Sequence, residues 1–154
     1  MKKIVILFIT VVAISFTVYS ANPPEKDAKV KPVELTKADF LIKVFDFEKN
    51  TDSWKYEGNK PAIVDFYATW CGPCRTMAPI LADLADEYGN DIYVYEVDID
   101  KEPELAAAFG IESIPTFLLI PRSGDPRVAM GALSKESFQK VIEEFLLKKQ
   151  TVSE

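Results

Sequence analysis

Histidine is missing from the 154 residues altogether. Without an imidazole the chain cannot assemble a Cys-His or Ser-His nucleophile pair, and most zinc sites are lost with it. Cysteine is nearly as scarce, since Cys71 and Cys74 are the only two. A thiolate metal site would therefore have to be shared between chains, and no metal or cofactor is expected. Positive charge is also in short supply: 18 Lys and Arg stand against 24 Asp and Glu, for a net charge of −6. An acidic chain without a basic patch is a poor partner for nucleic acid or anionic membrane surfaces. What is present is apolar content of 48% with 27% charged residues. That balance describes a globular protein, and the length suits one domain plus an N-terminal extra.

The N-terminal extra has the form of a secretory signal. Met1-Lys2-Lys3 gives a positive start, and Ile4 to Val18 is an apolar run of about 15 residues. Val18-Tyr19-Ser20 before Ala21 places cleavage after Ser20. The competing reading is an uncleaved anchor, but the run falls short of the ~20 residues of a span and contains Thr10, Ser15 and Thr17. No cysteine lies near the junction to carry a lipid. Cleavage would remove Lys2 and Lys3, leaving 16 basic against 24 acidic residues, or −8. The expectation is a signal peptide over 1–20, a Pro- and Lys-rich linker over 21–32, and one domain over 33–150. The mature protein would work in the periplasm or otherwise outside the cytoplasm, without membrane binding of its own.

Within the domain, Val33-Glu34-Leu35 reads as a short edge strand, and Thr36 as the N-cap of a helix carrying Phe40, Leu41 and Val44. Val44 to Glu48 alternates around Phe45 and Phe47, then Asn50-Thr51-Asp52-Ser53 supplies turn chemistry. Ala62 to Ala68 is mostly apolar, as in a strand covered on both faces. Met77, Ile80, Leu81, Leu84, Ala85 and Tyr88 form one helical stripe, which Pro79 must kink and Gly89 should end as a C′ residue. Ile92 to Ile99 is a further strand, and Pro103 to Phe109 with Gly110 a short helix. Thr116 to Ile120 and Arg127 to Met130 flank a Pro- and Gly-bearing turn as a hairpin. Ser134 caps a last helix with Leu133 and Phe138 as its staple, and Lys148 and Lys149 suit its negative end. The fold class is α/β: a mixed central sheet with a parallel part and a C-terminal antiparallel hairpin, helices on both faces.

The chemistry centres on Trp70-Cys71-Gly72-Pro73-Cys74, delivered by a strand and followed by a helix. Only a thiolate attacks a disulfide, and a free cysteine titrates near ~8.5. Helix N-terminal amides lower that value, and Cys71 stands where the helix begins. Cys71 is therefore read as the exposed, attacking thiol and Cys74, one turn in, as the resolving one. The bland alternative is a structural staple, but staples gain from closing long loops and this loop is minimal. Asp65 interrupts the apolar strand six residues earlier. A buried carboxylate has a raised pKa and suits proton transfer with Cys74, unless Asp65 lies at a frayed strand edge.

Four separated segments then resemble the thioredoxin family: Val64 to Cys74, Met77-Ala78-Pro79, Gly110 to Thr116, and Gly131-Ala132-Leu133-Ser134. The resemblance covers Pro61 to Leu147, more loosely from Val33. It implies a thioredoxin fold with a cis peptide before Pro115, facing a disulfide-forming Cys71–Cys74 pair. It further implies a substrate groove from Trp70, Gly72, Pro73, Ile114, Pro115, Met130, Gly131 and Ala132, with Asp65 as the buried proton carrier.

Two departures stand out. Tyr67 replaces the more common Trp, and Glu96 stands where many members carry Lys near the buried Asp. A Glu there would raise the Asp65 pKa, unless it turns to solvent. The Gly-Pro dipeptide matches reducing members, so the expected activity is an exported protein-disulfide oxidoreductase. Its substrates would be disulfide-containing exported proteins, and a membrane electron-donating reductase would recharge it. The alternatives are a dedicated reductant for cytochrome c maturation, whose family usually replaces Gly-Pro and carries an insertion, or a non-catalytic binding module on the same fold.

Overall fold

The computed structural model describes residues 29–148. The expected signal peptide and its cleavage point, residues 21–28 of the expected linker, and Lys149 lie outside them. The elements run β1 (Val33–Glu34), α1 (Lys37–Lys43), β2 (Ala62–Tyr67), α2 (Gly72–Tyr88), β3 (Tyr93–Asp98), α3 (Pro103–Ala108), β4 (Thr116–Ile120), β5 (Arg127–Met130) and α4 (Lys135–Val141). A π-helical turn, Ile142–Leu146, extends α4. The sheet order is β1-β3-β2-β4-β5, with β1, β3 and β2 parallel and β4 and β5 antiparallel. This is the mixed sheet expected from the sequence.

β2 is central because its side chains can be buried on both faces. Ile63 joins Met77, Leu81, Leu84, Phe117, Phe138 and Ile142 in the core under α2 and α4. Val64 and Phe66 join Phe40, Val97, Leu105 and Leu118 in the core under α1 and α3. Each such side chain contributes roughly 1.5–3 kcal/mol on burial. Phe117 meets Phe138 edge-on at 4.9 Å, which fixes α4 against the hairpin.

The helix ends follow their caps. Thr36 takes the Asp39 N–H while the Asp39 carboxylate takes the Thr36 N–H, a complete capping box. Ser134 accepts from the Ser137 N–H, and Leu133 packs against the core beneath α4. Pro79 lies inside α2 as expected.

Three expectations need correction. Gly89 does not end α2 through a left-handed turn, because its φ is −60°. Its need is space: an added Cβ would lie 2.7 Å from Val30 Cγ1 and against the Ala85 carbonyl. Val30 also donates its N–H to Asp86 Oδ1 at 3.2 Å, so the last residues of the linker are docked on α2. Val44 to Glu48 forms no strand despite its alternation. Phe45 turns inward onto Trp54, ring centroids 4.5 Å apart, and the Glu57 N–H returns to the Val44 carbonyl at 2.9 Å. The longer segment up to Asn59 is thus a packed loop over the α1 side of the sheet, with Phe47, Trp54 and Tyr56 against that core. Finally, Phe109 is the C-cap residue of α3, outside the helix proper.

Candidate active site

The sheet's central strand ends at Tyr67, and the chain turns through Ala68, Thr69 and Trp70 into α2. Cys71 is the N-cap of that helix, with extended backbone at φ −76° and ψ 113°. Its N–H bonds to the Ala68 carbonyl at 3.1 Å, which closes the turn. Gly72 and Pro73 occupy the first two helical positions, where a missing N–H costs nothing. Cys74 comes third and donates its backbone N–H to Cys71 Sγ at 3.1 Å. The two sulfurs are joined in a disulfide with Cα atoms 5.3 Å apart.

The cysteines differ less in exposure than expected. Cys71, expected to be the exposed thiol, is 4% exposed against 3% for Cys74. The disulfide folds Cys71 inward, where Ile114, Tyr67 and Ile99 pack on the small cluster of Ala68 and the two cysteines. What separates them is the bonding. Only Cys71 Sγ receives an amide from the helix terminus, and it lies 3.8 Å from the Ile114 carbonyl oxygen. In the disulfide there is no S–H to donate to that oxygen; in the reduced state there is.

Around the pair the surface is open. Trp70 is 65% exposed and its indole Nε1–H donates to Asp100 Oδ2 at 2.8 Å. The Asp100 N–H in turn bonds to Asp98 Oδ1 at 3.1 Å, and Asp98 is buried. A Cβ on Gly72 would meet nothing nearer than Arg75 Nη2 at 3.9 Å, so the bare glycine leaves its outer face clear. Opposite, the Ile114–Pro115 peptide is cis. The Pro115 carbonyl accepts the Gly131 N–H at 2.9 Å, and Gly131 holds φ +83°, a conformation that favours glycine. Met130, paired in register with Thr116, is 71% exposed, and Ala132 is exposed beside Gly131. Of the residues expected to line a groove, Ile114 packs on the disulfide cluster, Trp70, Gly72 and Pro73 flank it in sequence, and Gly131 is tied to Pro115 through its N–H.

Asp65 lies beneath, on the face of β2 that carries Ile63 toward α2. It is 2% exposed, and its Oδ1 has no hydrogen-bond partner. Burial first, then the neighbouring Glu96 carboxylate, push its pKa up to about 7. Glu96 is the in-register neighbour of Asp65 on β3, half-buried and itself raised by burial and by Glu34. Glu96 thus stays in the charge environment of Asp65. Asp100 went unnoticed in the sequence; the available signal was a second acid two residues after Asp98 at the mouth of β3.

A family model described as thioredoxin matches residues 35–144. The chain is 46% identical over 113 residues to a thioredoxin of Borreliella burgdorferi, covering 73% of this chain and 96% of that one. It is 34% identical over 137 residues to the chloroplastic M-type thioredoxin of Spinacia oleracea, covering 87% of this chain and 74% of the relative. The crystal structure of chloroplastic thioredoxin z superposes with a TM-score of 0.62 over 73% of this chain and 92% of that one, at 24% identity, which speaks to the fold. With that fold, these relatives and a Cys71–Cys74 pair at disulfide distance, the chain belongs to the thioredoxin family and is a disulfide oxidoreductase.

Proposed function

We propose that the protein reduces or exchanges disulfides in protein substrates outside the cytoplasm, with Cys71 as nucleophile and Cys74 as resolving thiol. The observation that carries the assignment of roles is the Cys74 N–H on Cys71 Sγ at 3.1 Å. An amide donor at a helix N-terminus favours the thiolate over the thiol, which is what an attacking sulfur requires. The Cys71 thiolate attacks one sulfur of the substrate disulfide; a mixed disulfide forms and the other substrate sulfur leaves as thiolate. Cys74 then loses its proton to the Asp65 carboxylate and attacks Cys71 Sγ. The Cys71–Cys74 bond forms, the mixed disulfide breaks, and the second substrate thiolate departs. The two electrons lost by the dithiol are those gained by the substrate.

Substrate would lie along Trp70, Gly72, Pro73, Ile114, Pro115, Met130, Gly131 and Ala132. Trp70 offers an exposed ring held by Asp100. The ledge formed by Ile114 and Pro115 is braced by the Gly131 N–H. The open face of Gly72 lets an extended backbone approach. Export rests on the lysine-led apolar run of residues 1–20. In an oxidising compartment continued reduction requires an electron supply across the membrane, so a membrane reductase is the partner proposed. The Gly72-Pro73 dipeptide favours this role over a reductant dedicated to cytochrome c maturation.

The test is turnover on a protein disulfide. Cys71→Ser should abolish it, and Cys74→Ser should accumulate a mixed disulfide that names the substrates. Retained turnover in Cys71→Ser would remove the mechanism. For export, residues 1–28 fused to a reporter active only outside the cytoplasm should give signal; a silent fusion would remove that part.

A further inference from the structure

A row of three carboxylates crosses the parallel half of the sheet. β1 and β3 pair Glu34 with Glu96, and β3 and β2 pair Glu96 with Asp65. In-register residues of neighbouring strands share a face at a strand spacing of about 4.8 Å. The three acids therefore stand in line on the face covered by α2. Exposure falls along the line: the Glu34 side chain is 52% exposed, Glu96 is half-buried, and Asp65 is 2% exposed. Like charges directly opposite one another destabilise a sheet, and the neighbouring charges that push up Asp65 and Glu96 are the acids beside them in the row, Glu96 and Glu34.

Glu96 also reaches water. It lines a cavity of about 310 Å³ with Ala78 and Ala82 of α2 and Val30 of the docked linker, room for several water molecules. The small alanines leave that room. The other charged groups lining it are Lys29 and Lys31 from the linker and Asp83 and Asp86 from α2, and Glu34 of β1 stands beside Glu96 in register. Of these, Glu34 is held by Lys101 at 2.6 Å, Asp83 lies 3.8 Å from Lys135, and Asp86 takes the Val30 N–H. From the other side β4 presents only Phe117 to Asp65.

We propose that Glu96 is a positioning residue for Asp65, the relay through which the proton taken from Cys74 passes to water in this cavity, with Glu34 at the outer end of the row. The proposal rests on Asp65 being the acceptor of the Cys74 proton. When Cys74 has attacked Cys71 Sγ, the neutral Asp65 passes one proton to the Glu96 carboxylate, and Glu96 passes one to cavity water. The proton set free by dithiol oxidation leaves by this route, and no reactant is needed beyond the substrate disulfide. Burial and the neighbouring Glu34 raise the pKa of Glu96, as burial and Glu96 raise that of Asp65.

The experiment is single-turnover resolution of a mixed disulfide across pH, using the full chain and a protein disulfide substrate. Glu96→Gln keeps size and removes the relay. Its plateau rate should fall several-fold, and formate, a small acid able to enter the cavity, should restore it while leaving the unaltered protein unchanged. A plateau equal to the unaltered protein's overturns the proposal, even if the acidic midpoint moves down, because Glu96 is then only a neighbouring charge. A loss that formate does not restore also overturns it, since that marks a structural effect. Asp65→Asn separates the two layers. If it loses the plateau while Glu96→Gln keeps it, only the relay falls. If Asp65→Asn keeps the plateau, the role of Asp65 falls and the relay with it.

Discussion

The backbone N–H of Cys74 points at Cys71 Sγ across 3.1 Å, so the resolving residue stabilises the charge of its partner before it ever attacks. In the reduced protein the Cys71 thiol should titrate below the ordinary ~8.5 of a free cysteine. Alkylation by iodoacetamide, followed against pH, should show Cys71 reacting first and with the lower midpoint. Cys74, whose own sulfur receives no such amide, should stay protonated higher. Equal midpoints for the two thiols would remove the physical basis for assigning the attack to Cys71.

Trp70 is anchored at its edge by Asp100 while its ring stays in solvent. Asp100→Ala frees the indole, removing a hydrogen bond to a charged group worth about 1.5–3 kcal/mol at most and less at this exposed site. The expected result is a several-fold rise in KM for protein substrates with kcat little changed, since Asp100 touches neither sulfur. A small disulfide that cannot reach Trp70 should be reduced at the normal rate by the variant.

Asp65 makes stability depend on pH in a direction opposite to most carboxylates. Its ordinary value is 3.8 and its folded value is about 7. Between these the folded protein keeps a proton the unfolded chain has lost, so stability falls as pH rises through the window. The full span corresponds to roughly 4 kcal/mol at about 1.36 kcal/mol per unit. Asp65→Asn should therefore be more stable than the unaltered protein at pH 8, with the gain shrinking toward pH 4. Denaturant unfolding of the oxidised protein at both pH values measures it; equal stabilities at pH 8 would contradict the burial argument.

Gly131 holds φ +83° with open space around an added Cβ, so Gly131→Ala meets a conformational penalty and no clash. The cost should be about 1–2 kcal/mol, close to the left-handed penalty for an L-residue. Its N–H braces the Pro115 carbonyl, so substrate affinity should weaken alongside stability. Thermal unfolding and KM measured together check both.

Much of this was legible in the residues because local signals agreed. Ala62–Tyr67 is a strand on both-face burial, Thr36 and Ser134 are caps by type, and the Cys-Gly-Pro-Cys turn is set by its proline and its place after a strand. Where signals were local but the cause was not, the reading failed. Val44–Glu48 alternates like a strand, yet the partner of Phe45 is Trp54 in the same loop, which no period reveals. Gly89 does follow the last residue of α2, but without the left-handed turn its type suggests; the space it leaves is filled by Val30, 59 residues earlier in the chain. The exposure of Cys71 also failed, because the inward fold of the disulfide depends on Ile114 arriving from another loop. The row of Glu34, Glu96 and Asp65 needed the register of three strands, which sequence order alone does not supply.

The disulfide spans three positions at the first turn of α2, where it clusters with Ala68 and the flanks of Tyr67, Ile99 and Ile114. Both large cores lie elsewhere, on the two faces of the sheet. Gaining or losing two electrons therefore acts first on one small cluster set apart from both large cores. A partner that must tell the charged carrier from the spent one has the few residues around Cys71 and Cys74 to read.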